Sequence, residues 1–148
     1  MKVKDCMCKN IYYAKPDTTI KDIAKMMNNN HVGCIPICDN NNCICGILTD
    51  RDILLRGIAC DKDVQTTKAS EIMSTNVCTC KQNDDMNAVQ AKMSDYKIRR
   101  VPVCDDNNHI IGMISLGNLA QNDSSLGKNN VSTTINNICD YNTNTNNQ

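Results

Sequence analysis

An α+β fold in which one β-α-β-β-α unit is used twice is what this sequence predicts, and three observations carry that prediction. The first is self-similarity. Slid by 66 positions, so that residue 35 meets residue 101, Ile35-Pro36-Ile37-Cys38-Asp39 lands on Val101-Pro102-Val103-Cys104-Asp105. In the same ungapped register Asn41-Asn42 meets Asn107-Asn108, Ile44 meets Ile110 and Gly46 meets Gly112, while Met27 meets Met93, Lys15 meets Lys81, Asn10 meets Asn76 and Met7 meets Met73. The second observation is a switch, within each copy, between helical and strand-like apolar spacing. The third is an Asn/Asp cluster between two short apolar runs of each copy, the chemistry of a hairpin turn. A unit repeated in this way buries its apolar face poorly alone, so the two copies are expected to pack as a pseudo-twofold pair with two equivalent clefts.

Each copy opens on a short apolar strand, Ile11-Tyr12-Tyr13-Ala14 and then Val77-Cys78-Thr79-Cys80. A polar turn follows, ending in N-cap candidates Asp17 or Thr18 and Asn83 or Asp84. Ile20, Ile23, Ala24 and Met27 then recur at helical spacing, as do Met86, Val89 and Met93. The next strands, Cys34 to Cys38 and Arg100 to Cys104, each hold a proline, which places them at an edge or a bulge. Asp39-Asn40-Asn41-Asn42 and Asp105-Asp106-Asn107-Asn108 turn the chain into antiparallel partners, Ile44 to Leu48 and Ile110 to Ile114. Second helices start near Asp50 and near Leu116. The organisation is a first repeat over residues 1–66, a second over 67–122, and a polar tail over 123–148.

The bulk properties narrow the function classes. The 148 residues hold no Trp or Phe and four Tyr, so the core must come from Ile, Val, Leu, Met and Cys. Sixteen basic and sixteen acidic residues leave a formal net charge of zero. This argues against nucleic-acid binding by phosphate neutralisation, which needs a clustered basic face. No apolar run approaches the roughly 20 residues of a membrane span, and Met1-Lys2-Val3-Lys4-Asp5 is not the start of a signal peptide. A cytoplasmic protein is expected. Eleven cysteines, an odd count without C-x-x-C or Cys/His spacing, read as small buried hydrophobes and not as a disulfide framework or a zinc site. Cys43-Ile44-Cys45 and Cys78-Thr79-Cys80 put two thiols on one strand face, and Cys8 beside Lys9 and Cys80 beside Lys81 keep a thiol-based redox sensor in view.

Ile35-Pro36-Ile37-Cys38-Asp39, Gly46-Ile47-Leu48-Thr49-Asp50-Arg51-Asp52-Ile53 with Arg56-Gly57, and Ile98-Arg99-Arg100-Val101-Pro102-Val103 carry a family resemblance. The unit resembles the cystathionine-β-synthase (CBS) domain, and its tandem copy resembles a Bateman module, over about Val3 to Gln121. The match is to the small stand-alone bacterial tandem-CBS proteins. It implies two β-α-β-β-α repeats packed as a pseudo-twofold pair and a regulatory role for which no cofactor is required.

Gly46…Thr49-x-x-Asp52 is where chemistry is expected. A glycine ahead of the helix lets a ligand approach the backbone, and the helix N-terminus offers N–H groups and a positive dipole end to phosphate. Asp52 can accept from both hydroxyls of a ribose, and Thr49 can bond to ribose or phosphate. Thr49-x-x-Asp52 equally fits a capping box. The resemblance implies ligand contact, because this position binds ribose in the family. In the second copy Asn118 stands where Asp52 stood, after Ser115. It lacks the bidentate anionic acceptor, which predicts one working site and one weaker site.

Carried over by position, the resemblance assigns Ile47, Thr49, Arg51 and Asp52 to the first site, with Asn76, Val77, Cys78, Ile98 and Arg99 around the base and Arg100 in reach of a phosphate. The weaker site takes Ser115 and Asn118 with Asn10, Ile11, Tyr12, Ala14, Val32 and Gly33. Arg99 and Arg100 also read as a solvated or dimer-facing charge pair, and His31 and His109 as surface residues. Val131, Ile135 and Ile138 lie at helical spacing, compatible with a short C-terminal helix, whereas Tyr141 to Gln148 is low-complexity and reads as disordered.

Three function classes follow. The leading one is a non-catalytic homodimer that senses AMP, ADP or ATP and acts through an unidentified regulated protein, without nucleic acid or membrane. The others are a ligand-free structural or interaction module and the redox sensor. Catalysis lacks a nucleophile–base pair, a metal-ligand cluster and a phosphate-binding loop.

Overall fold

The computed structural model describes residues 1–126 and 131–140, so Tyr141 to Gln148, read above as disordered, lies outside the described residues. In chain order the elements are α1 (Val3–Cys6), α2 (Ile20–Asn30), β1 (Cys34–Cys38), β2 (Ile44–Thr49), α3 (Asp50–Asp52), α4 (Ala69–Ile72), β3 (Cys80–Lys81), α5 (Met86–Tyr96), β4 (Arg100–Cys104), β5 (Ile110–Ser115), α6 (Leu116–Gln121) and α7 (Val131–Cys139). They form two compact units: a central one, Tyr12–Val77, and a split one built from Met1–Ile11 and the chain from Cys78 onward.

In the central unit β1 and β2 pair antiparallel, Cys34 opposite Thr49 and Pro36 opposite Ile47, with a bulge between Ile37 and Cys38. The expected first strand, Ile11 to Ala14, shrinks to a single parallel bridge of Ala14 to Ile37. Tyr12 and Tyr13 before it are exposed, so they have no apolar face to hold them against the sheet. The proline is tolerated for a geometric reason. Ile47 spends both its N–H and its carbonyl on Ser74, so Pro36 opposite it turns its own nitrogen away from β2, where no ladder donor is needed. In the split unit the order is β3-β4-β5, with Cys80 parallel to Val103 and Pro102 opposite Met113. β4 is therefore central, not an edge. Its proline survives because β3 pairs only Val103 and Cys104, beyond it, and a bulge follows at Val103/Cys104.

The helix caps fall one or two residues later than expected, at Thr19 and Asp85. Thr18 and Asp84 are consumed by the preceding turns, where they accept from the N–H groups of Lys15 (3.2 Å) and Lys81 (2.9 Å). Both helices end at a left-handed residue, His31 and Lys97. The two hairpin turns are built alike. Asp39 Oδ1 accepts from the N–H of Asn41 and Cys43, and Asp105 Oδ1 from Asn107 and His109. His31 is exposed, whereas His109 is half-buried, its Nδ1 3.3 Å from Asp105 Oδ2.

The core of the central unit gathers Ile20, Ile23, Met27, Ile35, Ile37, Leu48 and Ile72, and that of the split unit Val3, Met86, Val89, Met93, Ile98, Val101, Val103, Ile114 and Leu119. Cys34, Cys38, Cys80 and Cys104 are buried, as packing residues would be. The C-terminal helix exists as α7. It buries Val131, Thr134 and Ile138, leaving Ile135 outward, and the Lys97 ammonium donates to the Asn137 carbonyl.

Candidate functional site

Strand β2 delivers Thr49 in extended conformation to the start of α3, where it caps the helix. Asp52 N–H donates to Thr49 Oγ1 at 3.1 Å, and Thr49 N–H donates to Asp52 Oδ2 at 2.9 Å. Both halves of the capping box are made, and both residues are only 9% exposed. Capping and ligand contact do not exclude one another, since a carboxylate has about four lone-pair directions and the box takes one. Asp52 Oδ1 lies 3.8 Å from Arg56 Nε one turn on. Arg56 in turn donates through Nη1 to the Ile72 carbonyl (3.1 Å) and to Ser74 Oγ (3.3 Å).

Two expectations about this turn are overturned. The first three amides of α3 are not open to a phosphate. Asp50 N–H donates to the Gly33 carbonyl (3.0 Å), Arg51 N–H to Asp50 Oδ1 (2.9 Å), and Asp52 N–H to Thr49. Nor does Gly46 leave room for a ligand, because the Met73 side chain fills its slot: a Cβ on Gly46 would stand 2.3 Å from Met73 Sδ. After Asp52 the helix widens over Ile53–Gly57 and tightens over Ile58–Cys60, a wide turn of the kind often found beside functional sites.

The split unit repeats the frame without its charges. Ser115 caps α6, its N–H and Oγ donating to Asn118 Oδ1 at 2.9 and 2.8 Å, and Asn118 N–H returns to Ser115 Oγ at 3.3 Å. Leu116 N–H donates to the Arg99 carbonyl as Asp50 does to Gly33. Asp50, Arg51, Asp52 and Arg56 are replaced in register by Leu116, Gly117, Asn118 and Asn122. Asn122 Nδ2 reaches the Asn118 carbonyl (2.8 Å), not a side-chain carboxylate.

The other assigned residues divide between the units. In the central unit Ile47 and Ala14 are buried, Val32 and Gly33 half-buried, and Arg51 and Tyr12 exposed. Asn76 is exposed and Val77 half-buried, and neither is hydrogen-bonded to the Thr49–Asp52 box. In the split unit Ile98 is core, Ile11, Cys78 and Arg100 are half-buried, and Asn10 and Arg99 are exposed. Arg100 stands opposite Ser115 in the β4–β5 register. Arg56, beside Asp52, and Ser74, beside Arg56, were not among the residues expected at the site. The signal was available: Arg56 is four residues after Asp52, the spacing that meets on a helix face.

Burial raises the Cys78 thiol, partly offset by the Lys92 charge, and pushes Cys80 up to about 12. Cys80 therefore fails as a reactive thiol despite Lys81 beside it. Among the described residues no His/Cys/Asp/Glu group is arranged to hold a metal, and no helix is long and apolar enough to cross a membrane.

Comparison with known proteins agrees with the two-repeat fold. A family model described as "CBS domain" matches residues 3–58 and 69–124. The chain is 36% identical over 123 residues to the CBS domain-containing protein YhcV of Bacillus subtilis, spanning 83% of this chain and 86% of that one. It is similar to the CBS domain pair of protein MJ0100, solved in complex with 5′-methylthioadenosine and S-adenosyl-L-methionine, with TM-score 0.75 and 28% identity over 84% of this chain and 97% of that one. It is also similar to the CBS domain protein TA0289 of Thermoplasma acidophilum, with TM-score 0.79 and 27% identity over 93% and 74% of the two chains.

Proposed function

This chain belongs to the CBS-domain family as a tandem pair of such domains, and on that premise we propose that it is a non-catalytic regulatory module that binds an adenosine derivative at the Thr49–Asp52 box. The observation that carries the reading is the near-buried Asp52 carboxylate, with acceptor capacity left over after capping. A ribose diol is the chemistry that such an acceptor suits. The neutral Ser115–Asn118 box, whose Oδ1 already takes two donors from Ser115, supports one strong site per chain and one weak or vacant one. The complex of the MJ0100 pair with two adenosyl compounds supports the class of ligand. It also widens that class beyond AMP, ADP and ATP. Binding signals only by favouring one arrangement over another, so the output passes to a regulated partner protein, with a homodimer as the working unit and the cytoplasm as its place.

Thermal unfolding and titration calorimetry with AMP, ADP, ATP, S-adenosylmethionine and 5′-methylthioadenosine test this. A ligand at about 100 times its Kd adds roughly 2.7 kcal/mol, which raises the midpoint by about 5–10 °C for a chain of this size. The expected result is a shift with one class of ligand at one equivalent per chain, lost in Asp52→Ala and kept in Asn118→Ala. No shift with any of the five leaves a ligand-free interaction module.

A further inference from the structure

A line of polar contacts leads from Asp52 to the last residue of α4 and the segment that follows it. Asp52 Oδ1 lies 3.8 Å from Arg56 Nε, and Arg56 Nη1 donates to the Ile72 carbonyl at 3.1 Å and to Ser74 Oγ at 3.3 Å. Ser74 is locked to β2 by two backbone bonds with Ile47, at 2.9 and 3.0 Å, and Met73 fills the slot over Gly46. The split unit has the same mechanical frame. Cys8 exchanges two backbone bonds with Met113, and Met7 fills the slot over Gly112. There Asn118, Asn122 and Cys8 stand in place of Asp52, Arg56 and Ser74, and the charged link is gone. The frame thus holds without the link, so stability alone does not account for it in the central unit.

From this contrast we infer that Arg56 is a positioning residue that couples Asp52 to the Ile72–Ser74 segment, so that occupancy of Asp52 is read out as a change in that segment. The occupancy half rests on the adenosine reading above; the coupling itself does not. A diol on Asp52 competes with Arg56 for the same carboxylate. A guanidinium released or re-aimed there changes its hold on the Ile72 carbonyl and Ser74 hydroxyl, because one rigid planar fork serves both ends.

Hydrogen exchange at the Met73 and Ser74 amides of the full chain tests the coupling, since both are hydrogen-bonded, to Ala69 and Ile47, and report local opening. Asp52→Asn is a safe probe, because Asn118 already holds the same box in the other unit. Without ligand, Asp52→Asn and Arg56→Gln should each speed exchange about two- to fivefold, the scale of an accessible i,i+4 ion pair. The double variant should exchange no faster than Arg56→Gln alone. Unchanged rates in Asp52→Asn, or effects that multiply in the double variant, overturn the coupling. With saturating 5′-methylthioadenosine or AMP, the two amides should shift in the wild type and stay still in Arg56→Gln that has bound the same probe. A bound probe that leaves them unmoved in the wild type overturns the readout. Failure of both probes to bind removes the occupancy half with the adenosine reading, while the ligand-free cycle still decides the coupling.

Discussion

Asp52 and Asn118 occupy the same position in the same turn and differ by one heavy atom and one charge, which separates capping from recognition. Both make the reciprocal box with a Thr49 or Ser115 cap. Asp52→Asn should therefore keep its stability within about 1 kcal/mol while losing the ligand-induced shift. Asp52→Ala strands the buried Thr49 N–H and should cost about 1–2 kcal/mol in urea unfolding. If Asp52→Asn binds as well as the wild type, the carboxylate is a cap and nothing more. The thiols give a second prediction at this scale. Cys80 is raised by burial to about 12. A group whose folded pKa lies above its unfolded value stabilises fully below the unfolded pKa and loses that contribution as pH rises towards the folded one. Stability should accordingly fall between about pH 9 and 12, less so in Cys80→Ala once its lower starting stability is subtracted. Native thiol labelling near pH 8 should find Cys8, Cys60 and Cys139, the exposed thiols, well before Cys80; early labelling of Cys80 would reopen the redox reading.

The glycine slots belong to the element scale, where two short helices serve the same purpose. Segment α4 seats Met73 over Gly46, and α1 seats Met7 over Gly112. Gly46→Ala would put a Cβ 2.3 Å from Met73 Sδ. It should destabilise by about 1–3 kcal/mol, the usual cost of overpacking. Adding Met73→Ala to Gly46→Ala should recover part of that loss, whereas Met73→Ala alone should only destabilise. Additive losses in denaturant melts would show that the slot is not what the glycine is for. Much of this level was legible in the sequence. β1 and β4 run over the expected residues because Ile-Pro-Ile-Cys and Val-Pro-Val-Cys repeat in register, and the Asx turns after them follow from Asp39 and Asp105. The caps were misplaced because Thr18 and Asp84 satisfy turn amides just upstream, a competition that residue type alone does not resolve. The strand before Ala14 was overextended because alternation says nothing about which residues find a neighbour. The slots were half legible: the repeat aligned Met7 with Met73 and Gly46 with Gly112, but not which methionine meets which glycine.

At the scale of the whole molecule one exposed apolar cluster among the described residues is the helical stretch after Asp52, in the central unit. Leu54, Leu55 and Ile58 stand 56, 43 and 55% exposed there. Residues four apart share a helix face, so Leu54 and Ile58 belong together, with Leu55 beside them. Clustered apolar residues left to solvent mark an interaction surface more often than scattered ones do. A symmetric homodimer is the commonest way for one patch to cover itself. The same stretch carries Arg56, so a second copy seated here would lie one helical turn from the candidate ligand site. The wild-type chain should therefore have the mass of a dimer by light scattering, with a melting midpoint that rises with protein concentration. Leu54→Lys with Ile58→Lys should weaken the dimer's association constant at least about tenfold, since burying even one unpaired charge costs more than about 1.4 kcal/mol. Tyr96→Lys, at an exposed aromatic of the split unit, should leave the mass unchanged and serves as the control. A wild-type monomer would rule out self-association, and a double-lysine variant that still dimerises would place it elsewhere; in either case Arg56 would act within a single chain.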